Sequence, residues 1–228
     1  MTFDINKRFT FLNQLTGLVV DGVSPSLIVT GEGGLGKTHS VMQVVSEKGL
    51  EKSEYVVFKG YSTARGLYNS LYDNNGKVII FDDCDSILED RVAVNILKSA
   101  LDSYEKRTIS WMARMSRGDD YPQQFDFTGQ IIFISNKNMS SIDDAILSRS
   151  LTVDLSMTSC EKIERMDHIL TQILPDHTYR AKSQALEFLK EKKDEINLSL
   201  RSLIITTKLV ETYPDNWKDL ANYMISTK

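Results

Sequence analysis

Gly31-Glu32-Gly33-Gly34-Leu35-Gly36-Lys37-Thr38 fits the pattern G-x-x-x-x-G-K-S/T, in which a loop wraps phosphate groups. The chemistry fixes the residue types. Glycines let the backbone curl until its N–H groups converge on an anion. Lys37 carries a charge to the β- and γ-phosphates, and the Thr38 hydroxyl is a ligand for Mg²⁺. A helix starting at Lys37 aims the positive end of its dipole at the same anion. The residues expected to contact a nucleotide are Gly31, Glu32, Gly33, Gly34, Leu35, Gly36, Lys37, Thr38 and His39. On the N-terminal side, Leu27-Ile28-Val29 is a strand-like apolar run. On the C-terminal side, Val41, Val44 and Val45 form the inner face of a helix that Gly49 can end.

Further outward, Glu54 to Lys59 reads as a second strand closed by Gly60, followed by a short helix from Thr63 to Tyr72 with Leu67 and Leu71 on one face. After the Asn74-Asn75-Gly76 turn comes Val78-Ile79-Ile80-Phe81, a run apolar enough for a strand buried on both faces. It leads into Asp82-Asp83-Cys84-Asp85. A buried strand that delivers a carboxylate pair at its tip is the Walker B arrangement. Asp82 is expected to hold Mg²⁺ through water, and Asp83 to polarise an attacking water. The periodicity predicts one helix over residues 86 to 104, with Ile87, Leu88, Val92, Ile96, Leu97 and Leu101 inside. RTISW and FDFTG, between residues 107 and 129, read as a hairpin around RGDDYP. Ile131 to Ser135 is another buried-type strand, and it ends at Asn136, whose amide would orient the water or the γ-phosphate.

A short helix or turn from Ser141 to Ser150 carries Ser148-Arg149-Ser150, and Leu151 to Leu155 is the last strand. From Thr158 on, the pattern is helical only. Thr158 and Glu161 suit a capping box, and Pro175 should break the helix they start. Helices are expected over residues 180–193, 198–211 and 216–224, and another near the start over 4–21. The expected fold class is α/β, a P-loop NTPase parallel sheet over residues 1–156 with a small helical lid over 157–228.

Composition narrows the function classes. Hydrophobic residues make up 41% and charged residues 25% of the 228 residues, the mix of a globular protein. The net charge of −4 gives no global basic field for nucleic acid, though a local patch is compatible with it. Cys84 and Cys160 have neither metal-type spacing nor a disulfide framework. The start MTFDINKRF has no apolar signal core, and no run approaches membrane-spanning length, so the expected setting is the cytoplasm without a membrane partner. His39, His168 and His177 stand apart from any metal-like cluster.

Taken in order, the elements resemble those of the AAA+ ATPases over nearly the whole chain. Phe81-Asp82-Asp83-Cys84-Asp85 is similar to the family's Walker B segment with one departure: Asp83 stands where the family carries a catalytic Glu, one methylene longer. That bears on the hydrolysis rate more than on nucleotide binding. Ile134-Ser135-Asn136 is similar to the sensor 1 strand. Leu147-Ser148-Arg149-Ser150 resembles the Ser-Arg-Cys segment of clamp-loader subunits, with Ser for Cys, which implies Arg149 as an arginine finger offered to a neighbouring subunit. Leu200-Arg201-Ser202-Leu203 resembles sensor 2, which implies that Arg201 touches the γ-phosphate from the lid. The compact form is similar to small AAA+ ATPases of bacteriophages.

The resemblance implies ATP and Mg²⁺ as cofactors, and a homo-oligomer, ring or open ring, expected as a hexamer. Two kinds of output stay open. One is a loader or remodeler in DNA replication or a related nucleic-acid transaction, which Ser148-Arg149 favours. The other is a remodeler of a partner polypeptide, which the acidic charge and Tyr61 favour. A slow nucleotide switch is a third class, tied to Asp83. Lys59-Gly60-Tyr61 lies where unfoldases carry a pore loop but lacks the aromatic-hydrophobic-Gly order. Trp111, Arg114, Arg117 and Tyr121 would make either an aromatic-basic nucleic-acid surface or a hairpin packed on a neighbour.

Overall fold

The computed structural model describes residues 3–102, 106–112 and 120–226. The chain divides into two compact units: residues 1–8, 32–36 and 156–228 form one, and residues 9–31 and 37–155 the other. Arg114 and Arg117 lie outside the described residues.

The larger unit is built on a five-stranded parallel sheet. Its strands are β1 (Ser26–Thr30), β2 (Tyr55–Lys59), β3 (Val78–Asp82), β6 (Gln130–Ile134) and β7 (Leu151–Asp154), in the order β2-β3-β6-β1-β7. Every residue of β1 and β3 is buried, as expected where helices cover both faces of a parallel sheet. The covering helices include α2 (Lys37–Glu47), α3 (Ala64–Asp73), α4 (Asp85–Glu89), α5 (Arg91–Ala100) and α6 (Asp144–Leu147). Helix α1 (Ile5–Val20) precedes β1.

A phenylalanine ladder crosses adjacent strands. Phe58 pairs in register with Phe81, and Phe81 with Phe133. Their rings stack at centroid distances of 5.6 and 4.8 Å. Since a one-residue slip would turn the rings to the other face, the ladder pins the register. The residues that follow it, Lys59, Asp82 and Ile134, therefore stand side by side at the C-terminal edge, where open α/β sheets bind their ligands.

Two expectations change. The single helix over 86–104 is two helices, α4 and α5, broken at Asp90. That residue is extended, with φ −80° and ψ 115°, and its carboxylate accepts from the N–H groups of Val92 and Ala93. An N-cap side chain here outweighs the continuous apolar periodicity. Val92, expected inside, is 52% exposed for the same reason. The hairpin forms as an antiparallel pair, β4 (Thr108–Ser110) with β5 (Gln124–Asp126), both strands shorter than expected and the second starting one residue earlier. It is fastened to α3 by an aromatic cluster in which the Arg65 guanidinium lies 5.4, 5.1 and 5.5 Å from the ring centroids of Tyr68, Trp111 and Tyr121.

The smaller unit contains α7 (Ser159–His168), α8 (Tyr179–Glu191), α9 (Leu200–Thr212) and α10 (Trp217–Ser226). Thr158 and Glu161 form the expected capping box at the start of α7. This helix stops at His168, well before Pro175, with Ile169 as its C-cap. The apolar faces meet around Met166, Leu186, Leu189, Leu203 and Ala221, with Phe188 and Trp217 edge to face at 5.4 Å.

Candidate functional site

In the larger unit, the sheet order explains what meets at the strand tips. Strand β6 lies between β1, which feeds the phosphate loop, and β3, which ends in Asp82. Asn136, just past the end of β6, is thus flanked by both. Its Oδ1 accepts a hydrogen bond of 3.0 Å from Lys37 Nζ, and its Nδ2 donates one of 2.7 Å to Asp83 Oδ1. Lys37, 5% exposed, also donates to the Gly31 carbonyl at 2.6 Å. A hydrogen-bonded chain thus runs from Gly31 through Lys37 and Asn136 to Asp83.

The Asp83 backbone is in the left-handed region, with φ 56°, and its N–H donates to the Ile134 carbonyl at 3.0 Å. Asp tolerates that region better than larger side chains. The consequence is a sharp turn that points Asp83 toward Asn136 while Asp82 stays inside. Asp82, 4% exposed, accepts from the Thr38 hydroxyl at 2.8 Å. Its other oxygen lies 2.8 Å from the Lys59 ammonium. The hydrogen bond to Asp82 raises the Lys59 pKa above its ordinary value. Asp85 is held by Ser135, whose hydroxyl donates to it at 2.6 Å. Burial, reinforced by the Asp82 carboxylate, pushes the Cys84 thiol up to about 11, so it stays protonated and inert.

Arg149 is half-buried and donates to the Ala145 carbonyl at 2.9 Å, closing the end of α6. His39 is exposed in the first turn of α2.

In the smaller unit, the loop residues Glu32, Gly33, Gly34, Leu35 and Gly36 lie with the start of α9. The Leu200 N–H donates to the Gly34 carbonyl at 2.9 Å. Gly34 has φ +76°, and a Cβ there would come within 3.2 Å of the Ser199 Cβ and 3.7 Å of the Arg201 Cδ. Gly36, with φ +94°, would meet Leu200 Cδ1 at 3.3 Å. Exposed Arg201 therefore borders the glycine loop. Glu32 is ion-paired with the buried Lys162 of α7.

These features fit a magnesium nucleotide. In the larger unit, a buried ammonium stands at the start of α2 and a hydroxyl–carboxylate pair supplies the hard oxygen donors that Mg²⁺ takes; in the smaller unit, the glycine loop follows a path that side chains would obstruct. Sequence reasoning missed two contacts, Lys59 with Asp82 and Lys162 with Glu32. Lys59 was visible as the end of a strand and as part of Lys59-Gly60-Tyr61, but not as a partner of Asp82, since that place follows from sheet order and register. No sequence signal marks Lys162.

Residues 27–155 match the model of the ATPase family associated with various cellular activities (AAA). A 36.7 kDa protein of Enterobacteria phage T4, encoded in the nrdC-mobD intergenic region, is 28% identical over 247 aligned positions, which span 95% of this chain and 73% of the phage protein. Among solved structures, a variant of Thermotoga maritima RuvB matches with a TM-score of 0.60 at 15% identity, over 96% of this chain and 68% of that one. The T. maritima RuvB Holliday junction branch migration motor matches with a TM-score of 0.57 at 14% identity, over 96% of this chain and 68% of its own. At such identities the structures speak for the fold.

Proposed function

Since the chain belongs to the AAA family of ATPases, we propose that it is a Mg²⁺-dependent ATP hydrolase whose protomers assemble into a ring or open ring, expected as a hexamer. It couples hydrolysis to the remodelling or loading of a macromolecular partner in DNA replication or a related nucleic-acid transaction. The observation that carries this reading is the chain Lys37–Asn136–Asp83 beside the pair Thr38–Asp82. Residues 1–156 serve as the nucleotide-binding core and 157–228 as the lid.

Bound Mg·ATP supplies the phosphoryl group for transfer to water, with its charge partly drawn off by the metal. Lys37 holds the terminal phosphates, and the loop N–H groups cradle them. Thr38 and Asp82 hold the metal. Asp83 accepts a hydrogen bond from the attacking water and takes up its proton, and Asn136 keeps that carboxylate aligned. Arg201 and a neighbour's Arg149 neutralise charge that develops on the phosphate oxygens.

The nucleic-acid output is supported by Ser148-Arg149 and by the fold shared with a branch migration motor. A second reading, action on a partner polypeptide, is favoured by Tyr61, which is 82% exposed just after β2. The ATPase rate, measured with Mg²⁺ or EDTA and with single-stranded DNA, duplex DNA or an unfolded protein, separates them. Stimulation by DNA alone supports the first, and stimulation by the polypeptide alone supports the second. Absence of Mg²⁺-dependent turnover refutes both. The mass of the ATP-bound protein tests the ring.

A further inference from the structure

Asp82 is a buried carboxylate with both oxygens engaged. Oδ1 accepts from Thr38 at 2.8 Å, and Oδ2 lies 2.8 Å from the Lys59 ammonium. The two ends of that ion pair differ. The Asp82 side chain is 5% exposed and fixed at the tip of a central strand. The Lys59 side chain is 65% exposed on a flexible stem, and the strand stops right after it at Gly60, with φ +88°. Asp82 cannot move out to another partner, whereas Lys59 can leave and be rehydrated. Their meeting is not accidental side-chain wandering. The phenylalanine ladder fixes the register that sets Lys59 directly across from Asp82.

We infer that Lys59 is a tethered counter-ion for Asp82 that competes with the divalent metal for this carboxylate. This rests on the reading of Thr38 and Asp82 as the metal-holding pair. A buried carboxylate needs a compensating cation. Lys59 provides one from the protein itself, so the strand tip folds without metal. A metal that approaches this carboxylate beside Thr38, at Oδ1, is repelled by the ammonium on Oδ2, so it binds fully only when Lys59 leaves. Free Mg²⁺ gains little from that exchange. Mg²⁺ that arrives with phosphate oxygens adds their charge to Asp82 and wins. Lys59 is thus a positioning residue that sets how strictly metal binding depends on nucleotide.

The test is a Mn²⁺ titration, followed by the paramagnetic resonance signal of the free ion, on full-length protein saturated with ADP. Lys59→Met should bind Mn²⁺ about two- to fivefold more tightly than wild type, the range expected for losing a partly exposed ion pair. Lys59→Arg should restore wild-type affinity. Without metal, Lys59→Met should melt at lower temperature than wild type, and Mn²⁺ should close the gap. Should that variant fold poorly, Lys59→Gln keeps a hydrogen-bond donor without the charge and should also tighten Mn²⁺. Unchanged or weaker Mn²⁺ binding in folded Lys59→Met or Lys59→Gln overturns the inference. Asp82→Asn separates the premise. If it binds Mn²⁺ as wild type does, the metal reading of Asp82 fails. If it loses Mn²⁺ while Lys59→Met is unchanged, the counter-ion role alone fails.

Discussion

One amide joins the residue assigned to hold phosphate to the residue assigned to polarise water. Asn136 accepts from Lys37 and donates to Asp83, so a shift of either is felt by the other. Replacing Lys37 with Ala removes the buried ammonium at the start of α2. Lys37→Ala should retain its fold by circular dichroism yet lose ATP binding, and unchanged nucleotide affinity would refute the phosphate-loop assignment. Asp83→Asn tests the other end. An amide is a poor acceptor for a water proton, so Mg·ATP binding should persist while turnover falls by about 10²–10⁴, the usual contribution of a general base. Wild-type turnover in that variant would move the role to another group. At this scale the sequence was informative wherever chemistry demands a residue type at fixed spacing: Lys37, Thr38, Asp82 and Asp83. It was silent on Lys59, since a lysine at a strand end is ordinary until the neighbouring strand is known.

At the scale of elements, the buried strands were legible because parallel strands covered on both faces read as continuous apolar runs. Their order was not, because sequence carries no direct record that β6 separates β1 from β3. That order is what puts Asn136 between Lys37 and the carboxylates. The break at Asp90 was hidden for a different reason. Apolar spacing continues across it, and only the side-chain cap on Val92 and Ala93 reveals that one helix ends and another begins. The cap makes a prediction. Asp90→Ala should lower stability by about 1 kcal/mol, the typical loss for a missing N-cap, with a lower denaturation midpoint and an unchanged m-value. A loss below a few tenths of that would mean the break is imposed by packing of α4 and α5, and that the Asp90 carboxylate follows it.

At the scale of the whole molecule, the question is whether one chain suffices for turnover. Arg149 lies in its own protomer half-buried, donating to Ala145 at the end of α6. Its resemblance to the finger of clamp-loader subunits puts its proposed target in a neighbouring protomer. An Arg in that role contributes about 10³–10⁵ in rate, far more than closing one short helix can explain. Arg149→Ala should therefore bind ATP normally and fail to hydrolyse it, with a melting temperature close to wild type. Mixing it with Lys37→Ala subunits is the decisive arrangement. Arg149→Ala supplies an intact pocket and Lys37→Ala an intact arginine, so a fraction of interfaces holds both. Even a small fraction should raise the rate well above that of either variant alone. No recovery in oligomers shown by mass to be mixed, or full activity in Arg149→Ala by itself, would refute action across an interface. Wild-type specific activity supplies the independent check. It should fall on dilution once protomers separate, and a rate that stays constant down to monomer would place the whole reaction within one chain.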